Sequence, residues 1–304
     1  MKLGLNSAIL DTSNFQELID FSAEVGFQSV EVACWPRGIS ERRYAGVSHI
    51  DVTNLDEKAI NDIHAYLEKK HISISALAYY PNPLDPDPQV TKTSIDHLKK
   101  VIVAANKLGV GMVTTFIGRM PAKNLSDNLD EMMKVWPDII NYAKQHNVKI
   151  AIENCPMLFS DDEWPGGKNL FTSPAIFRKV FELISDDNFG INYDPSHFVW
   201  QQMDYIKPIY EFKDRLFHVH FKDMKIFKDK LDDHGVLATP LNYMEPKIPG
   251  LGDVNWSQFV SALKDIRYDG PTSIEIEDRS FEDSHEAVLD SIRLSYRYLQ
   301  QFII

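Results

Sequence analysis

Two cysteines in 304 residues, Cys34 and Cys155, stand far apart and form no CxxC pair. Disulfide stapling and a structural zinc knuckle are therefore not expected. No stretch approaches the ~18 consecutive apolar residues of a membrane span, and the opening MKLGLNSAIL is too short an apolar run for the core of a secretory signal. These absences point to a cytoplasmic protein without a membrane partner. Basic charge is also scarce. Thirty-two Lys plus Arg against 44 Asp plus Glu leave a net charge of −12, which repels polyanions and gives no footprint for DNA or RNA. A small neutral or cationic substrate suits that field better. A G-x-G-x-x-G turn after the first apolar segment is missing too, which removes the usual signature of a dinucleotide-binding open sheet.

The chain has 44% hydrophobic and 25% charged residues, enough apolar material for a substantial core and too little net polarity for disorder. Short apolar stretches alternate with longer ones that carry apolar residues at i, i+3, i+4 spacing, the mark of a parallel α/β sheet. Eight strand candidates appear: 2–7, 29–34, 72–79, 111–118, 148–154, 189–194, 216–223 and 272–278. Helical stretches include 14–26, 57–71 and 94–109. Helix punctuation agrees, with Ser173 as an N-cap before Pro174, and Gly26 and Gly109 just past helix ends. Eight units averaging ~38 residues predict one (β/α)8 TIM barrel over residues 1–304, with catalytic groups at the C-terminal ends of the strands. Two connections, at about 155–172 and 224–256, are long enough to cover a substrate or reach a partner subunit.

Polar residues close several otherwise buried strands. Glu153 ends the fifth, Asp194 the sixth and His220 the seventh, while Glu275 lies in the eighth. Alternation along a strand turns Glu153 with Ala151, Asp194 with Asn192, and His220 with His218 toward the barrel interior. Taken singly, each has a plain reading as a loop tether, a helix cap or a packed histidine. Together, three acids and an imidazole at one end of a barrel need a compensating charge, because a buried carboxylate without a partner is costly. A divalent cation supplies it. Three oxygens and one nitrogen favour Mn2+, Mg2+ or Co2+ over Zn2+.

The segments IAIENC, INYDPSH, HVHFKD, IPGLGDVNW and RYDGPTSIEIED, in that order, resemble the xylose-isomerase-like TIM-barrel family of sugar isomerases and epimerases. Ketose 3-epimerases, hydroxypyruvate isomerase, inosose dehydratase and, more distantly, endonuclease IV belong to it. The resemblance implies that Glu153, Asp194, His220 and Glu275 ligate one divalent cation, Mn2+ first, with Mg2+, Co2+ and Zn2+ as alternatives. It also implies that His197 contacts a substrate hydroxyl, and that Glu153 and Glu275 act as the catalytic acid and base. The implied reaction is isomerisation or epimerisation of a sugar through a metal-stabilised cis-enediolate. The same enediolate permits loss of a β-substituent, so the alternative is a lyase or dehydratase acting on a keto-sugar, keto-inositol or 3-keto-glycoside. A noncatalytic sugar-binding or partner subunit is the remaining class, and the intact four-residue set argues against it. The ends of strands 2 and 3 carry none of the extra histidines that endonuclease IV-like members need for a multinuclear cluster; His49 and His64 lie beyond strand 2. Family members often assemble, so a homo-oligomer is an expectation.

Further substrate contacts are open. Lys222 shares a face with His220 and either steadies a substrate oxygen or sits at the surface paired with Asp223. Glu277 either touches substrate from the rim or pairs with a loop cation such as Arg279. Trp35, Tyr79 and Trp164 are candidates for packing on a sugar ring, with core or loop anchoring as the other reading. Asn6 and Arg119 close strands 1 and 4. PGLGDVNW reads as a tight turn with Asp253 or Asn255 at the next helix start, not as a phosphate cradle, which favours a non-phosphorylated sugar. His218 lies about 7 Å deeper than His220 at ~3.3 Å per residue and is expected to support, not ligate.

Overall fold

The computed structural model describes residues 1–38, 44–158 and 160–303, the side chain of residue 162 excepted. Eight parallel strands close into a barrel: β1 (Lys2–Asn6), β2 (Ser29–Ala33), β3 (Ser73–Ala78), β4 (Met112–Thr115), β5 (Lys149–Glu153), β6 (Phe189–Tyr193), β7 (Leu216–Phe221) and, last in the chain, β10 (Pro271–Ile274). Each pairs with its chain neighbour, and β10 closes the ring onto β1, Lys2 opposite Pro271 and Leu5 opposite Ile274. The (β/α)8 TIM barrel expected from the alternation is the observed architecture.

The helices begin and end where local chemistry dictates. Asn14 and Glu17 form a reciprocal capping box at the start of α1 (Phe15–Val25), which stops at Gly26 in the left-handed region. Asp56 caps α2 (Glu57–Lys70), Asn124 caps α4 (Leu125–Gln145), and Ser173 with Pro174 opens α5 (Pro174–Leu183) as read from the sequence. Helix α3 (Pro88–Lys107) starts six residues before the expected 94, because Asp87 caps Gln89 and Pro88 sits in the first turn. Between β6 and β7 the chain makes only two short helices, α6 (Ser196–Val199) and α7 (Lys207–Glu211).

Apolar residues that alternate outward, such as Ile150, Ile152, Ile191 and Val219, are fully buried between the sheet and the helices. Trp136 of α4 is buried there too, and its indole nitrogen donates to the Ile117 carbonyl at 2.7 Å. The inward-facing positions read differently. Glu31, Thr114, Asn192, His218, His220 and Ser273 are all buried and polar, so the barrel interior holds a hydrogen-bonded network where branched side chains are the common filling.

The expected seventh strand, 216–223, divides. β7 ends at Phe221, and Asp223 begins β8 (Asp223–Ile226), which pairs antiparallel with β9 (Met244–Lys247) above the mouth. Helix α8 (Lys228–His234) fills the excursion, and Asn255 caps α9 (Trp256–Asp265), which leads to β10 and α10 (His285–Leu299). Asp223 explains the split. Its carboxylate accepts from the backbone of Met224, Gly250 and Val254 and from the Trp256 indole, fastening the PGLGDVNW turn to the barrel rim. Among the described residues, no helix is long and apolar enough to cross a membrane.

Candidate functional site

The four strand-end residues meet. One ligand-type atom from each of Glu153, Asp194, His220 and Glu275 lies within 4.8 Å of the others. His220 stands at the centre, its Nδ1 2.9 Å from Glu275 Oε2 and 3.7 Å from Glu153 Oε1. Glu275 follows the last residue of β10 by one, and Asp194 follows β6 by one. Both leave the strand at the rim while keeping its inward direction.

Backbone clamps explain why these side chains converge. Asn154, next to Glu153, accepts from the Asp194 amide at 2.7 Å and donates to the Asp194 carbonyl at 2.8 Å, locking the ends of β5 and β6 together. Asn169 donates to the carbonyls of Glu153 and Cys155 and accepts from the amides of Ile117 and Gly118, tying β5 to the end of β4. One Asp194 oxygen accepts from the Ser196 amide, which leaves Oδ2 for the cavity.

Four buried polar atoms in this cluster have no hydrogen-bond partner: Asp194 Oδ2, His197 Nε2, His220 Nδ1 and Glu275 Oε2. The short contact between His220 and Glu275 is not aligned as a hydrogen bond. Unsatisfied buried groups cost about 1–3 kcal/mol each, more when charged, so such a concentration asks for a ligand. Oxygen atoms from three carboxylates and one imidazole nitrogen, turned toward one point, fit a divalent cation.

The support beneath the site strengthens that assignment. His220 Nε2 lies 2.7 Å from Glu31 Oε2, the arrangement in which a carboxylate accepts the N–H of one ring nitrogen and leaves the other free as a ligand. Glu31 also accepts from Tyr80 Oη and Thr114 Oγ1, each at 2.6 Å. Burial alone would raise the Glu31 carboxyl, but the two imidazoles and these hydrogen bonds hold it down at about 2. His218 lies one layer deeper, its Nδ1 2.9 Å from Asn192 Oδ1 and its Nε2 3.4 Å from Ser75 and Ser273 hydroxyls. Burial lowers it to about 4, so it is a neutral brace. His218 is absent from the four-residue group and belongs instead to a deeper set with Glu31 and His220, whose ligand-type atoms also lie within 4.8 Å of one another.

Above the site opens a cavity of about 580 Å³. Asn6, Trp35, His197, Lys222 and Glu277 all line it, with Glu153 and Glu275. His197 Nε2 is 3.2 Å from Asp194 Oδ2 and 3.6 Å from Glu153 Oε1. Lys222 is buried, 2.5 Å from Glu277 and 3.6 Å from Glu275, so the reading of it as a surface lysine paired with Asp223 is overturned. Burial works against its charge, yet Glu275 and Glu277 hold it protonated well above the ordinary lysine range. Asn6 keeps its side-chain oxygen on the Ala8 amide.

Tyr79 does not belong to this wall. It is buried in the core, edge-on against Trp35 and His97. Tyr80 lines the cavity instead, since alternation from Ala78, itself on the wall, turns residue 80 inward and 79 outward. Glu31 is marked in the sequence only as a lone charge inside the apolar strand SVEVAC, mid-strand and away from the rim.

The profile of the xylose isomerase-like TIM barrel family matches residues 19–298. The chain belongs to that family. The curated relative YfiH of Bacillus subtilis strain 168, described as uncharacterized, is 29% identical over 331 aligned positions covering 100% of this chain and 99% of its own. Among solved structures, D-psicose 3-epimerase of Clostridium cellulolyticum H10 with D-tagatose superposes with a TM-score of 0.72 at 14% identity, covering 100% and 99% of the two chains. The IolI protein, solved with a bound zinc atom, gives 0.72 at 18% over the same shares. The probable 3-DHS dehydratase AsbF of Bacillus anthracis gives 0.71 at 17%, covering 99% of each. At these identities the structural matches establish the fold.

Proposed function

We propose that the protein is a divalent-metal-dependent sugar isomerase or epimerase, with Glu153, Asp194, His220 and Glu275 holding one cation, Mn2+ in the first instance. The observation that carries this reading is the convergence of unpartnered buried donor atoms at the floor of a polar cavity. When bound, the cation supplies the charge that polarises a sugar carbonyl and lowers the cost of an enediolate.

The chain's own groups do the rest. Glu153 and Glu275 both approach His220 Nδ1, at 3.7 and 2.9 Å, so a sugar carbon bound over the cluster has two carboxylates beside it. Burial and the nearby Glu153 raise the Glu275 carboxyl, while His197 and His220 hold Glu153 low against its burial. One of the two carboxylates removes the proton of the C–H beside the carbonyl, and the other returns one on the other face. His197 is placed to donate from Nε2 to a substrate hydroxyl. Lys222 presents an ammonium to a substrate oxygen.

A second reading, elimination of a β-substituent, is favoured by that buried Lys222, a cation poised to steady a departing oxygen. Purified, manganese-loaded protein incubated in deuterated water with a panel of ketoses and keto-glycosides separates the two. Deuterium entering the substrate without loss of water or aglycone supports isomerase or epimerase chemistry; release of either supports elimination. Neither exchange nor release with any member of the panel would sink both.

A further inference from the structure

A second cavity of about 520 Å³ adjoins the first, sharing Pro156, Leu158 and Trp200 as a common wall. Its far side is built from the two long excursions. Trp164, from the loop after β5, donates its indole N–H to the Leu237 carbonyl at 3.2 Å, strapping that loop to the segment after α8. The lining mixes flat apolar faces, Trp164 and Tyr243, with Arg119 and Gln201. Arg119 donates one guanidinium N–H to the Gly166 carbonyl at 2.9 Å, but its Nε is buried without a hydrogen-bond partner.

Size and chemistry point the same way. The cavity over the acidic cluster already lies in the ~300–1,000 Å³ range that encloses a drug-sized ligand, and a single hexose ring fills only part of it. Indole faces beside a few hydrogen-bonding groups suit a flat ring that carries hydroxyls, with the ring packed on the tryptophan and its hydroxyls met by Arg119 and by the side-chain oxygen of Gln201, whose Nε2 already donates to the His197 carbonyl at 2.6 Å. Nothing in the chemistry of the four-residue site calls for such a compartment.

We propose that this second cavity is a subsite for a second ring, so that the substrate is a keto-glycoside, in which the reacting sugar carries a ring ketone and is joined through its glycosidic oxygen to another hydroxylated ring. The inference rests on the sugar chemistry assigned to the Glu153–Asp194–His220–Glu275 site and names its substrate class. The ring attached to the sugar is a phenol or a second sugar, which the experiment distinguishes.

The test is equilibrium binding to the manganese-loaded protein. Methyl glucosides, 4-hydroxyphenyl glucosides and glucose disaccharides are titrated in both anomeric forms, with Trp164→Ala and Gln201→Ala as the variants. A ring-bearing glycoside is expected to bind about tenfold or more tightly than the methyl glycoside of the same anomer. Trp164→Ala should remove that advantage while leaving methyl glucoside affinity within about twofold. A phenyl advantage alone identifies an aryl glycoside, and a disaccharide advantage alone identifies an oligosaccharide. Equal affinity for methyl and ring-bearing glycosides overturns the proposal, as does an advantage that survives both substitutions. Failure here is separable from failure of the chemistry. Exchange of free ketoses without ring-dependent binding removes the subsite and leaves the reaction, whereas ring-dependent binding without exchange on any substrate removes the reaction and leaves the subsite.

Discussion

Replacing Glu31 by Gln tests how much of the site is built from below. The residue is fully buried and receives His220 Nε2 at 2.7 Å, Tyr80 Oη at 2.6 Å and Thr114 Oγ1 at 2.6 Å. Gln keeps the volume and one acceptor oxygen, so packing changes little. What is lost is the carboxylate that takes the His220 N–H and keeps Nδ1 as the free nitrogen. A hydrogen bond to a charged group contributes about 1.5–3 kcal/mol, and at ~1.4 kcal/mol per tenfold this is roughly a 10- to 100-fold change in affinity. Loss of a partner that orients a ligating histidine falls in the same range. Titration of Mn2+ into wild type and Glu31→Gln, read by the electron paramagnetic resonance of the free ion, should show the variant weaker by about that factor, with far-ultraviolet circular dichroism unchanged. Affinity equal to wild type in a folded variant would refute the argument that Glu31 prepares His220.

The buried neutral His218 gives stability a pH dependence. Its folded value of about 4 lies below the ~6.5 of an unfolded chain, so between these values the unfolded chain binds one more proton. The contribution is whole above about pH 6.5 and is lost as pH falls toward 4, worth about 3 kcal/mol at ~1.4 kcal/mol per unit. Urea denaturation across that window should be flatter for His218→Gln; an identical slope would remove His218 as its source. Asn169→Ala removes four hydrogen bonds that hold the ends of β4 and β5, at about 1 kcal/mol each. A loss of roughly 2–4 kcal/mol in urea is expected, together with weakened Mn2+ binding through displacement of Glu153; unchanged stability would show the clamp to be redundant.

The barrel was legible because alternation of short and long apolar patterns survives even where individual boundaries move. The misplacements have local causes. Asp87 and Pro88 start α3 early, and Asp223 ends β7 by capturing the turn at 250–254. The four rim residues were legible because four polar groups on consecutive buried strands share one end of the barrel, although each alone has a plain explanation, and parity fixed their direction. Depth along the strand, not parity, separates His220 from His218, while parity applied to β3 turns Tyr80 inward and Tyr79 outward. The network under the site was harder to see. Glu31, Thr114 and Asn192 come from three strands, and their meeting depends on barrel closure and on the register shifts at Val30/Glu31 and Ile191/Asn192, which no local pattern encodes. The clamps by Asn154 and Asn169 are long-range for the same reason, and the second cavity is walled in part by two loops, distant in sequence, that touch at Trp164 and Leu237.

The central claim is that four side chains at the barrel mouth hold one divalent cation. Asp194→Asn tests it most directly, because Asp194 is fully buried, has one oxygen fixed by Ser196 and leaves the other unpartnered in the cluster. Mn2+ bound per chain, measured by equilibrium dialysis with elemental analysis, should be one for the wild type and fall at least about tenfold in affinity for the variant. A wild-type chain that binds none, or a variant that binds as tightly as wild type, would contradict the assignment.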